Sequence, residues 1–143
     1  MSNRKDKPDE VEEVSANLMQ TNVVGNVHLF NLFLPLVLKG KVKKVIAIST
    51  GLADLNLTND CDIDICALYG ASKAALNVVV AKFSAQYKKD GVLFMSVSPG
   101  LVEVGRYASC KYSPADLPSR LFPLSASLLI NIRPKLPQRS WKG

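Results

Sequence analysis

Glycine, cysteine and histidine are all scarce in this 143-residue chain, and each scarcity removes a class of chemistry. Gly25, Gly40, Gly51 and Gly70 stand alone. None opens a glycine-rich turn, the device that lets backbone approach a pyrophosphate at a helix N-terminus. The three cysteines, Cys61, Cys66 and Cys110, are odd in number and match no zinc spacing, so free thiols are expected. His28 is the only histidine, and its apolar surroundings in sequence suit a core or interface position better than catalysis. Asp60, Asp62 and Asp64 alternate like the start of a calcium loop, but Ile65 and Ala71 occupy the positions that need glycine and glutamate. No metal site is expected. No leader is expected, because residues 1–13 carry both charge signs and no apolar core. Residues 23–38 are apolar but interrupted by Asn26, His28, Asn31 and Pro35, too short and too polar for a membrane span. They read as part of a packed helix in which Leu18, Val24, Leu29, Phe33 and Val37, at helical spacing, cover a sheet. A cytoplasmic protein without membrane contact is the expectation.

What is present points to a folded chain, with an apolar fraction of 48%. Its net charge of +6 is unevenly placed. Residues 1–105 balance, whereas Arg106, Lys111, Arg120, Arg133, Lys135, Arg139 and Lys142 face a single acid, Asp116. Such a tail suits nucleic acid or a membrane surface, but Pro114, Pro118, Pro123, Pro134 and Pro137 break any long element. A poorly structured soluble terminus is the preferred reading, with no nucleic-acid partner. The chain therefore divides into residues 1–106 and a basic, proline-rich tail over residues 107–143.

Tyr69 and Lys73 are the most informative residues. Their spacing puts a phenol and an ammonium on the same side of a helix, one turn apart. A nearby cation favours the phenolate, which equips the pair to move a proton on or off an alcohol or carbonyl oxygen. Tyr107 and Lys111 repeat the spacing without a helical pattern around them, so the flanks decide. Residues 43–51 read as a short buried strand ending in Ser49, Thr50 and a glycine turn. Residues 91–100 read as a second strand closed by Pro99-Gly100. Between them, residues 69–87 carry Leu76, Val79, Val80 and Phe83 at helical spacing, with Val78 and Ala81 on an adjoining strip. Strand, crossover helix and strand make a βαβ unit with parallel strands. Ser49, Thr50, Pro99 and Gly100 fall at the carboxyl ends of the strands, where open α/β sheets gather their chemistry.

The order Asn22-Val23-Val24-Gly25, Ile48-Ser49-Thr50, Tyr69-Gly70-Ala71-Ser72-Lys73 and Ser98-Pro99-Gly100-Leu101-Val102 resembles the second half of a short-chain dehydrogenase/reductase, over residues 14–106. The resemblance implies an α/β fold, here a partial Rossmann-like doubly wound parallel sheet with a βαβ core and long flanking helices. It implies an NAD(P)-dependent oxidoreductase acting on a small carbonyl or alcohol, with NADP slightly favoured over NAD. Tyr69 would be the proton donor or acceptor, and Lys73 would lower its pKa and hold the nicotinamide ribose. A hydroxyl, Ser49 or Thr50, would polarise the substrate oxygen, and Asn22 would connect the lysine to a proton-relaying water. Pro99, Gly100 and Val102 would lie along the nicotinamide. A homodimer through helices at 14–38 and 69–88 is also implied.

Three departures qualify the resemblance. The family's Thr-Gly-x-x-x-Gly-x-Gly phosphate turn has no counterpart here, so residues 1–106 read as a truncated catalytic half. Val104 stands where a threonine would bond the nicotinamide amide, and the stretch from Gly51 to Leu68 is long. These departures support an alternative: a truncated, catalytically inactive relative that retains only an association surface.

Overall fold

The crossover expected between two apolar strands is present in the computed structural model, which describes residues 8–100 and 129–130. In chain order the elements are α1 (Pro8–Met19), a π-helical turn (Gln20–Val24), α2 (Gly25–Lys39) and β1 (Lys44–Ile48). Then come a 3-10 turn (Gly51–Ala53), α3 (Leu55–Asp60), α4 (Ala67–Gln86), β2 (Leu93–Val97) and β3 (Leu129–Ile130). The strands β1 and β2 pair in parallel, Lys44 opposite Leu93 through Ile48 opposite Val97, and α4 forms the crossover. This is the Rossmann-like βαβ unit, in a helix-rich molecule. Leu129–Ile130 adds a short antiparallel edge to β2, within a segment read from sequence as tail. Val102, Val104, the Tyr107–Lys111 pair, Cys110 and the 106/107 boundary lie outside the described residues.

Helices α2 and α4 both pack on one face of the sheet. Phe30 and Leu34 of α2 meet Ala47, Leu76, Val80, Val92 and Phe94 in a single core. Phe30 stands edge-on to both Phe83 and Phe94, at 5.3 and 5.6 Å between ring centroids. Such aromatic pairs contribute about 0.5–1.5 kcal/mol each beyond the area they bury. In α4, Leu76 and Val80 are buried with Val79 and Phe83 packed beside them, as the spacing predicts, and Val78 is exposed.

Three expectations are corrected. The face of α2 that covers the sheet is Phe30 and Leu34, with Leu38 and, as expected, Val37 alongside, while Val24, Leu29 and Phe33 are exposed. The π turn causes this difference: its wider winding takes up an extra residue and rotates the helix beyond it by about one residue's 100°. A single α-helical period drawn from Leu18 onward therefore lands on the wrong strip. His28 falls on the exposed side of α2 rather than in the core. Second, β1 is covered on one face only: Ala47 is buried, whereas Ile46 and Ile48 are more than half exposed. A parallel strand is apolar throughout because it is built for two covered faces. Third, the length argument against a membrane span does not hold. The helix runs unbroken for 32 residues, Pro8–Lys39, long and apolar enough to cross a membrane by length and composition alone.

Candidate active site

Every sequence-predicted site residue within the described range lies on the π turn, at the start of α4 or at the carboxyl ends of β1 and β2. Tyr69 occupies the first turn of α4 and is partly exposed. One turn on, the Lys73 ammonium lies over the Tyr69 ring, 5.9 Å from its centroid. Its Nζ donates to the Ile48 carbonyl at 2.9 Å, which fastens the helix to the end of β1. Burial lowers the Lys73 pKa from its ordinary value of 10.5, because desolvation disfavours the charged form.

Ser49 and Thr50 come next along the chain and have different environments. Ser49 is held by its own N–H, which donates to the Val97 carbonyl at 2.8 Å. Its side chain is buried, and its Oγ has no hydrogen-bond partner among the described residues. Thr50 is half-buried, and its Oγ1 accepts from the Leu52 N–H at 3.3 Å, capping the 3-10 turn. Ser49 has an unused hydroxyl without exposure; Thr50 is accessible, and accepting from Leu52 leaves its O–H able to donate.

Asn22 sits in the π turn and reaches α4 directly. Its Nδ2 donates to Ser72 Oγ at 2.9 Å, and Ser72 Oγ donates to the Tyr69 carbonyl at 2.8 Å. Asn26 Nδ2 in turn donates to the Asn22 carbonyl at 2.9 Å. Sequence reasoning misses Ser72. The signal that locates it is its position three residues after Tyr69, on the inner side of α4, where it is 1% exposed. Pro99 and Gly100 are exposed at the end of the neighbouring strand β2. Gly100 adopts φ +74°, a conformation that favours glycine. Cys61 and Cys66 are free thiols.

A nicotinamide cofactor is tested by what these residues offer. Its nicotinamide–ribose end fits: a donor ammonium and a phenol stand together at the end of β1, and Gly100, at φ +74°, follows the end of the paired strand β2. Its phosphates find no glycine-rich turn in the sequence.

A model of the short chain dehydrogenase family matches residues 2–111. The chain is 70% identical over 102 residues to the short-chain dehydrogenase/reductase iacC of Pestalotiopsis fici, covering 71% of this chain and 38% of that relative. It is 56% identical over 100 residues to the short chain dehydrogenase virK of Hypocrea virens, covering 70% of this chain and 37% of that protein. Among solved structures it is similar to one described as a putative carbonyl reductase, Sniffer, of Caenorhabditis elegans. The TM-score is 0.56 at 25% identity, over 71% of this chain and 46% of that one. The chain belongs to the short-chain dehydrogenase family, whose members are NAD(P)-dependent oxidoreductases. It spans about 38% of the length of the curated relative it matches at 70% identity.

Proposed function

We propose that the chain carries the proton-transfer part of an NAD(P)-dependent oxidoreductase acting on a small carbonyl or alcohol. The observation that carries this reading is the stacking of Lys73 on Tyr69 while its Nζ bonds the Ile48 carbonyl, at the C-terminal end of a parallel strand. Tyr69 gives its phenolic proton to the substrate oxygen in reduction and takes it back in oxidation. Lys73, a cation beside that phenol, favours the phenolate and holds the ribose hydroxyls. Ser49 or Thr50 steadies the substrate oxygen by hydrogen bonding. Asn22, tied through Ser72 to the Tyr69 carbonyl, fixes the first turn of α4 and lies on the route by which the proton is replaced. Pro99, Gly100 and Val102 border the nicotinamide. The cofactor, NADP in preference to NAD, supplies or accepts the hydride when bound. The cytoplasm is the proposed location, residues 1–106 the catalytic unit and residues 107–143 an appendage to it.

A second reading is favoured by the exposed apolar strip of Leu29, Leu32, Phe33 and Leu36 on α2. It makes the chain an association module that pairs through residues 14–38 and 69–88 without turnover. Calorimetric titration of the 143-residue chain with NADPH, and separately with NADH, distinguishes the two. Saturable binding is expected on the catalytic reading, and a folded chain that binds neither leaves the association reading. Where turnover is measured, Tyr69→Phe is expected to lower it by at least about a hundredfold, the scale of a lost general acid.

A further inference from the structure

The end of the sheet opposite the candidate active site is basic. Residues 39–44, which lead from the end of α2 into β1, contain Lys39, Lys41, Lys43 and Lys44 and no acid. Residues 87–92, which join α4 to β2, add Lys88 and Lys89 against one acid, Asp90. The two connections touch. Lys43 Nζ donates to the Asp90 carbonyl at 3.2 Å, and the Leu93 N–H donates to the Lys43 carbonyl at 2.9 Å. Six lysines therefore share one end of the molecule, and all but Lys43 are exposed.

Apolar surface runs into this patch. Leu29, Leu32, Phe33 and Leu36 form an exposed strip along α2 at helical spacing, and Lys39 continues it. Gly40 then turns the chain back: a Cβ there would lie 3.5 Å from the Leu36 carbonyl oxygen and 3.8 Å from that of Val42. Val42 stands in this turn between Lys41 and Lys43 and is 72% exposed.

The kind of cation narrows what such a surface fits. Every one is lysine, a point charge on a flexible stem, without the fork that grips one phosphate or carboxylate in two bonds. The one aromatic ring in the two connections, Tyr87, is packed against Phe83 and Phe94 and offers no platform for a nucleic-acid base. A diffuse positive field around an exposed apolar residue matches a bilayer surface, where anionic headgroups lie above hydrocarbon. We propose that this end of the chain rests on an anionic lipid surface, with the lysines among the headgroups and Val42 and Leu36 entering the interface. Phe30 and Leu34 of α2 stay in the protein core, so the helix lies on the bilayer rather than crossing it. Lys73 is bonded at the opposite end of β1, so docking leaves the candidate active site clear. The proposal depends on neither reading of that site, and it departs from the sequence-based expectation of no membrane contact.

The test is flotation of the intact 143-residue chain with vesicles of phosphatidylcholine and phosphatidylserine, and with phosphatidylcholine alone. Binding is expected to the anionic vesicles only, with release at about 1 M salt, where charges are screened within about 3 Å. Lys41→Gln/Lys88→Gln, one change in each connection, is expected to weaken binding about thirtyfold, from about fivefold per lysine. Val42→Ser is expected to weaken it about fivefold. Both variants keep Lys43 and its bond, and their circular dichroism should match the native chain; Lys44→Gln/Lys89→Gln replaces the first if it does not fold. The basic residues from Arg106 onward are the same in every variant, so the differences report the patch alone. Four results overturn the proposal: equal binding to both vesicles, binding to neither, native binding by the lysine variant, or retention through the salt wash. Native binding by Val42→Ser overturns it as well, and duplex DNA bound with the same lysine dependence would then assign the patch to nucleic acid.

Discussion

Lys73 is asked to be a cation in a place that partly removes it from water. Its folded pKa lies below the 10.5 of the unfolded chain, so between those two values the unfolded state binds more protons. The sign is then fixed: Lys73's contribution to stability is least below its folded pKa and rises with pH through that window. Thermal melts of the native chain and Lys73→Met should therefore diverge in the native chain's favour as pH approaches 10.5 from below. A divergence in the other direction removes burial as the dominant cause. Ser72 offers a second single-residue test. Ser72→Ala strips the partner from Asn22 Nδ2 at a site that is 1% exposed. Leaving a partly buried donor without that acceptor costs about 1–3 kcal/mol, measurable by urea denaturation. Ser72→Cys, with a weaker donor and acceptor of similar size, should recover only part of the loss.

At the scale of elements, the contact between α4 and the 3-10 turn is decided by one missing side chain. Ordinary propensity would have Gly70→Ala stabilise a helix by about 1 kcal/mol. Here the added methyl meets the Leu52 backbone carbonyl at 2.7 Å, and overpacking of that kind costs about 1–3 kcal/mol. A net loss of stability is expected, read as a lower melting temperature; a gain would show that the turn yields freely. The same scale shows what the sequence makes legible. The strands, the crossover helix and the buried Leu76 and Val80 are readable from period and turn residues, because those signals are local. The placement of Tyr69, Lys73, Ser49 and Asn22 near one another is readable from motif order. Phe30 and Leu34 are not, because no propensity announces the π turn that rotates their helix. Nor is the difference between Ser49 and Thr50, which depends on which hydroxyl the adjacent turn recruits. Helix α3 is legible only as unusual length between Gly51 and Leu68.

For the whole molecule, the described residues leave apolar surface on two sides. Leu32 and Leu36 on α2 are 69% and 64% exposed, and Ile46 and Ile48 on the far face of β1 are 55% and 57% exposed. A proposed dimer through α2 and α4 predicts sedimentation that depends on concentration and returns to the monomer value in Leu32→Arg/Leu36→Arg. The pair Ile46→Lys/Ile48→Lys should leave that association intact; if it alone abolishes association, the sheet face is the interface.

The aromatic core also fixes a schedule. Among the described residues, Phe30 finds its ring partners at Phe83 and Phe94, more than fifty positions later in the chain. At roughly 5–20 residues per second, the ribosome needs several seconds to deliver them. Until then Phe30 lacks the rings it meets in the fold, so this core closes only once β2 has been made.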